Sequence, residues 1–171
     1  MRFILDANAL IYLIKADLAE KFLVLLEGEV VIDNNVYREV VEKGLENNYL
    51  DAYIAKDFLE KNQIPIIPVN ISSELFKFRD PGETSCYILS KNEGICISSD
   101  VRATKKFEQL NTPFMELDTF FYNKLLAEKI NTKMFLDIMD SLKKINGTTA
   151  KRISVFLKLI SRRSEKNGQN R

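Results

Sequence analysis

Short apolar runs alternate with amphipathic stretches along this chain, and that alternation constrains the fold more than any other feature. The apolar runs predict strands at residues 3–5, 30–32, 64–69, 95–98 and 113–117. Helical spacing of apolar side chains predicts helices at 9–14, 18–26, 36–41, 50–59, 83–91, 101–110, 120–130, 134–144 and 148–163. Strands that alternate with helices are typical of α/β folds, so we expect a short, mainly parallel sheet followed by C-terminal helices.

The run at 64–69 contains Pro65 and Pro68, neither of which can donate a hydrogen bond to a neighbouring strand. We therefore expect this run to be an edge strand or a strand with restricted pairing. A chain of 171 residues suits one domain with an appendage. The last segment, 164–171, is polar and has no apolar pattern, so we expect it to be a disordered tail.

Composition narrows the available chemistry. The chain has no histidine, which excludes Ser-His-Asp triads, Cys-His pairs, His-liganded zinc and imidazole bases. Cys86 and Cys96 lie in apolar surroundings outside any CxxC motif, so we expect buried thiols in a reducing compartment. No apolar run approaches the ~18 residues of a membrane span, and the N-terminus lacks a signal-peptide pattern. We therefore expect a cytoplasmic protein without membrane contact.

Charge is distributed unevenly along the chain, although the formal net charge is only +1. Residues 141–171 carry nine Lys or Arg and one acid, a net of +8. The other 140 residues carry sixteen bases and twenty-three acids, a net of −7. This asymmetry suggests a metal site in the acidic body and a separate basic region for an anionic partner.

Four acidic residues stand at expected strand ends or helix starts. Asp6 follows the first strand, and Asp100 follows the strand that contains Cys96. Glu39 lies in the helix after the second strand, and Glu83 opens another helix. In parallel sheets, ligands bind beyond the carboxyl ends of the strands. Burial of a charged carboxylate there costs free energy unless a hydrogen bond or an opposite charge neutralises it. A hard cation such as Mg²⁺, which takes oxygen ligands, would do so.

Each of these acids also has an ordinary structural role open to it. Asp6 and Asp100 suit helix caps. Glu39 suits a solvated helix edge, and Glu83 suits a first helical turn, where the helix dipole favours an acid. Asp118, after the last strand, either lines the same pocket as an additional ligand or caps the next helix.

Four segments of the chain, in this order, resemble the PIN-domain nucleases, a family that includes VapC-type toxins. The segments are FILDANALI around Asp6, VYREVVEKG around Glu39, DPGETSCYIL around Glu83 and ICISSDVRATKKF around Asp100. The resemblance covers roughly residues 1–125. It implies a three-layer α/β/α nuclease domain at 1–130, with a helical extension at 131–163. It also implies that the four acids bind Mg²⁺ or Mn²⁺, that Asn8 and Ser98 support them, and that the protein cuts RNA.

The same resemblance implies partners. We expect an RNA substrate, an antitoxin protein if the chain is a toxin of a toxin–antitoxin pair, and a homodimer. The basic C-terminal residues either guide RNA to the pocket or form a solvated face that balances the acidic body; they are Lys151, Arg152, Lys158, Arg162 and Arg163.

Other functions must also be compared with the sequence. A PIN-fold protein that lacks catalysis would bind RNA or regulate a partner, although the presence of all four acids argues against it. A phosphotransfer receiver would need an acidic pair and a distal strand-end Lys, which the sequence does not supply. A phosphatase with an Asp nucleophile typically has D-x-D after its first strand, whereas this chain has Asp6-Ala7-Asn8.

Overall fold

The parallel sheet is the centre of the fold. The computed structural model describes the backbone of residues 1–72, 74, 78 and 80–169, and the side chains of these residues except 93 and 164–169. Within these residues the strands are β1 (Arg2–Leu5), β2 (Glu29–Asp33), β3 (Ile66–Ile67), β4 (Gly94–Ser98) and β5 (Phe114–Glu116). They form a five-stranded sheet in the order β3-β2-β1-β4-β5, and every pairing is parallel. The expected α/β class is confirmed, and the proline-containing run lies at an edge of the sheet.

The helices follow the strands in the expected alternation. They are α1 (Ala7–Lys15), α2 (Ala19–Leu25), α3 (Asn34–Tyr37), α4 (Lys43–Glu46), α5 (Leu50–Lys61), α6 (Pro81–Glu93), α7 (Val101–Gln109), α8 (Leu117–Leu126), α9 (Thr132–Lys144) and α10 (Ala150–Gln169). A π-helical turn, Arg38–Glu42, joins α3 to α4. Turns of this kind are rare and occur often at functional sites.

The strand order creates a switch point at β1. The chain passes from β1 to β2 and β3 on one side, and then to β4 and β5 on the other. Leu5 pairs with Ile97 at the carboxyl ends of β1 and β4, and the amide of Asp6 donates to the carbonyl of Ile97 at 3.1 Å. The residues that follow these two strands therefore lie side by side, which is where α/β sheets bind ligands.

Aromatic side chains join the C-terminal helices to the sheet layer. Phe120 and Phe121 of α8 are almost fully buried and make an edge-to-face contact with centroids 5.2 Å apart, which confirms that they belong to the core. Tyr122 stacks on Phe156 of α10 at 4.8 Å, and Phe135 of α9 meets Phe156 edge-on at 5.8 Å. Helices α9 and α10 are thus attached to α8 through one apolar cluster.

Two local expectations were wrong: the cap of α8 and the C-terminal end of α10. Asp33, the last residue of β2, caps α3: its Oδ1 accepts the amide of Asn35 at 2.8 Å and that of Val36 at 3.0 Å. Helix α8 begins at Leu117, so Asp118 lies inside the first turn and does not cap the helix.

The backbone of α10 continues to Gln169, so the predicted helix end at residue 163 lies within the helix. The last two residues of the expected 164–171 tail lie outside the described residues. The division into a domain at 1–130 and an extension at 131–163 stays a prediction.

Both cysteines are free and fully buried, in agreement with the sequence. Among the described residues, no helix is both long enough and apolar enough to cross a membrane.

Candidate active site

Asp6 lies at the turn from β1 into α1. Its backbone is extended, so the side chain folds back over the helix start, and Oδ1 accepts the amide hydrogen of Ala9 at 2.7 Å. The residue is only 5% exposed. The structure therefore gives Asp6 the capping role, and the cap uses one carboxylate oxygen. Capping and metal ligation are not exclusive for a carboxylate, which has two oxygens.

Asp100 repeats this arrangement after β4. Its Oδ1 accepts the amides of Arg102 at 2.7 Å and Ala103 at 2.9 Å, which starts α7. Ser98 lies between the two aspartates: its hydroxyl hydrogen-bonds the carboxylate of Asp6 and accepts the amide hydrogen of Asp100 at 3.2 Å. The buried serine thus links the carboxylate of Asp6 to the backbone of Asp100.

Glu83 lies in the first turn of α6, and Asp80 starts that helix. Asp80 caps α6 by accepting the amide hydrogen of Glu83 at 3.0 Å. Pro81 occupies the first helical position, where a missing N–H is harmless. An acid directly before Pro-Gly-Glu is thus a helix-start signal in this sequence.

Glu39 reaches the same place from the π turn. A Cβ atom built on Gly82 would lie 3.4 Å from Oε2 of Glu39 and 3.1 Å from Oδ1 of Asp80. The glycine therefore allows carboxylates from two different helical segments to approach the start of α6.

These side chains meet in one pocket at the carboxyl edge of the sheet. A cavity of about 150 Å³, which we call the acidic pocket, is lined by Asp6, Ala7, Asn8, Glu39, Asp80, Gly82 and Glu83. Asp100 does not line this cavity, but its negative charge acts on both Asp6 and Glu83. Three of the four acids predicted from the sequence therefore line one cavity with Asp80, and the charge of the fourth, Asp100, acts on two of them.

Crowding and burial raise the pKa values of three of these carboxyl groups. Burial raises the pKa of Asp6 to about 7, opposed by hydrogen bonds from Ser98 and Ala9 and reinforced by the charges of Asp100 and Glu83. Loss of solvent, followed by the charge of Asp80, raises the pKa of both Glu39 and Glu83. A site with these shifts favours added protons or cations.

The donor set fits a hard divalent cation. The acidic pocket offers carboxylate oxygens and the amide of Asn8, and Mg²⁺ prefers oxygen ligands and keeps several of its waters. Within the described part of the chain, no three Asp, Glu or Cys side chains are already close enough to form a complete metal-binding group. The donor chemistry therefore suits a hard divalent cation such as Mg²⁺ or Mn²⁺.

Asp118 lies elsewhere, which corrects its suggested place among the ligands. It is 3% exposed, and both of its oxygens accept from Arg152, through Nε and Nη2 at 2.6 Å each. Thr148 also donates to it, at 2.7 Å. Asp118 lines a separate small cavity together with Ser99 and Gly147.

The basic C-terminal residues are not equivalent. Arg152 is bound to Asp118 and forms a second ion pair with Glu116, so it is a packing residue. Arg163 donates from Nη1 to the carbonyl of Leu126 at 3.2 Å. Lys151, Lys158 and Arg162 are exposed on α10.

Comparison with known families settles the relationship of this fold. A family model described as a PIN domain matches residues 2–111, more than half of the chain, and the match includes all four acids. The chain belongs to the PIN-domain family. PIN domains are generally nucleases and typically use divalent metals. Comparison with curated proteins finds no match.

Proposed function

We propose that this PIN domain is a metal-dependent endoribonuclease whose ligands are Asp6, Glu39, Glu83 and Asp100. The observation that carries the proposal is the convergence of these acids at the switch point of the sheet, where three of them line one cavity. Asp80, the first residue of the segment DPGETSCYIL, adds a fourth carboxylate to the lining of that cavity.

The residues of the chain have distinct roles in this proposal. Asp6 and Asp100 are held by their caps and by Ser98, so their positions are set before any substrate arrives. A bound Mg²⁺ or Mn²⁺ would supply an activated water and stabilise charge on the phosphoryl and leaving oxygens. Glu39, Asp80 and Glu83 concentrate negative charge beside Asp6, which repels an RNA backbone until a cation neutralises the pocket.

The cellular role that we propose is that of a VapC-type toxin in the cytoplasm, active as a homodimer and paired with an antitoxin. The resemblance of four segments in their family order supports it. Growth arrest on induced expression, relieved by a small protein encoded beside the gene, would test this role. The exposed Lys151, Lys158 and Arg162 are proposed to contact RNA.

The experiment that tests the reaction is cleavage of a pool of single-stranded and stem–loop RNAs by the purified protein. We expect cleavage with Mg²⁺ or Mn²⁺ and none with EDTA. Undiminished cleavage in EDTA would refute the metal mechanism. Metal and RNA binding without any cleavage across the pool would favour the alternative, a PIN-fold protein that binds RNA or regulates a partner without cutting it.

A further inference from the structure

A second cavity adjoins the acidic pocket and differs from it in character. It has a volume of about 280 Å³, and its lining includes the apolar side chains of Ile11, Val40, Ala52 and Ala55. Glu39 lines both cavities, so they adjoin at this side chain. We call this second cavity the apolar pocket.

The mouth of the apolar pocket carries an aromatic ring and positive charge. Tyr49, at the start of α5, lines it and is 62% exposed. Lys43, one helical turn after Glu39, lines it as well. Lys15 also contributes, although it forms an ion pair with Asp51 at 3.2 Å.

We propose that the apolar pocket binds one base of a single-stranded RNA whose backbone lies at the acidic pocket. The proposal rests on the proposed function and specifies how that site selects its substrate. An RNA base binds to apolar surface and stacks on aromatic rings. The apolar lining supplies the surface, and Tyr49 supplies the ring. Lys43 supplies positive charge beside the phosphate that follows.

The arrangement favours a nucleotide over an apolar side chain of a protein partner. An apolar side chain of a peptide would contact only the apolar lining of the cavity. Glu39, however, lines both cavities, so an occupant of the apolar pocket lies beside the site where the RNA backbone would be cut. Unstacked bases of single strands are the parts of RNA that proteins usually read, so the pocket would select unpaired sites.

The test begins with binding and requires no cleavage. Adenosine, guanosine, cytidine and uridine 5′-monophosphates are titrated in Mg²⁺ into ¹⁵N-labelled protein, and backbone amides are followed by NMR. These nucleotides contain no internal phosphodiester bond, so they cannot be cut as RNA is. We expect at least one of them to shift the amides of Gly44, Asn47 and Ala52, which line the apolar pocket.

Tyr49→Ala is the decisive variant. The loss of a stacking partner should raise the Kd of that nucleotide at least fivefold, roughly the lower end of the range for one base on an aromatic ring. Tyr49 makes no side-chain capping bond to α5, so the helix should remain. Tyr49→Phe should keep the affinity. Tyr53→Ala is the matched control, because Tyr53 is 52% exposed on the same helix but does not line the pocket.

The proposal and the reaction fail in different ways. Shifts at the apolar pocket without RNA cleavage would refute the nuclease reaction and leave the base site standing. RNA cleavage whose KM and base preference are the same in wild type and Tyr49→Ala would refute the base site. The absence of shifts at the pocket, or equal losses in Tyr49→Ala and Tyr53→Ala, would also overturn it.

Discussion

Arg152 binds both carboxylate oxygens of Asp118, and the two residues join helix α10 to the first turn of α8. The aspartate is almost completely buried, whereas the arginine is partly exposed. Removal of one partner from such a pair leaves a charge without compensation, which costs more than the intact pair contributes.

Arg152→Ala should therefore lower the free energy of unfolding by about 3–5 kcal/mol. Arg152→Lys should recover only part of the loss, because an ammonium group cannot contact both oxygens as a guanidinium does. Urea denaturation of both variants, with Lys151→Ala as an exposed control on the same helix, measures the effect. If Arg152→Ala lost no more than Lys151→Ala, the pair would have no structural role.

Asp6→Asn should stabilise the metal-free protein at alkaline pH. Asp6 titrates near 7 when folded and near 3.8 ordinarily, so the stability that its protonation contributes is complete below 3.8 and lost as pH rises through about 7. Each pKa unit corresponds to about 1.4 kcal/mol, so the variant should gain up to about 4 kcal/mol at pH 8 in EDTA and little at pH 4.

Asparagine caps helices as well as aspartate does, so the α1 cap should persist in this variant. Chemical denaturation across this pH range checks the prediction, with Asp137→Asn on α9 as the control. A pH-independent loss of stability in Asp6→Asn would contradict the prediction, because it would mean that burial of the charged carboxylate does not destabilise the fold.

Asp100→Asn should abolish most RNA cleavage, and Glu39→Gln and Glu83→Gln should behave alike. In each case a charged oxygen ligand is lost while the shape of the side chain is retained. Initial rates in Mg²⁺ measure the effect, and Mn²⁺ affinity by calorimetry should fall in parallel. Asp137→Asn should retain wild-type rates; a similar loss there would show that the assay does not report on the acidic pocket.

The Gly82→Ala variant should distinguish effects on the stability of the fold from effects on the acidic pocket. An alanine within α6 should favour the helix by roughly 0.5–1 kcal/mol. The added Cβ would stand 3.1 Å from Oδ1 of Asp80, so that carboxylate must shift by a few tenths of an ångström, whereas 3.4 Å from Glu39 is an ordinary contact. We expect a protein about as stable as wild type with weaker Mn²⁺ binding and slower cleavage. Unchanged metal affinity would place the ion away from Asp80.

The combined change of Lys158 and Arg162 to Ala should weaken RNA binding and flatten its dependence on salt. Each lost phosphate contact should reduce the slope of log affinity against log salt by about 0.7 for single strands. Cleavage at saturating RNA should not change. Fluorescence anisotropy at several salt concentrations tests this; an identical slope would mean that α10 serves assembly or a protein partner instead.

The sequence predicted the sheet well because its strands are short, apolar and separated by helical spacing. It also identified three acids that line the acidic pocket, Asp6, Glu39 and Glu83, because Asp6 ends a strand and the turn chemistry around Glu83 is local. The sequence did not predict the capping role of Asp80, because an aspartate before proline is compatible with a loop as well as with a helix N-cap. The π turn that carries Glu39 has no pattern that distinguishes it from an α-helix.

The misplacement of Asp118 has a different cause. Its partner, Arg152, is 34 residues away along the chain, and nothing local signals that the two will pair. The sequence also grouped Arg152 with exposed bases, because charge counts cannot separate a buried ion pair from a solvated face. Long-range pairing of charges depends on how α9 and α10 fold back on α8.

The aromatic cluster of Tyr122, Phe135 and Phe156 bears on how the molecule melts. The cluster spans α8, α9 and α10, and Phe120 of α8 also contacts Phe3 of the central strand. Loss of the C-terminal helices would therefore expose apolar side chains of the sheet layer to solvent. The protein should therefore unfold in a single cooperative transition. A fragment that stops near residue 130 would lack Phe135 and Phe156 and would be prone to aggregate.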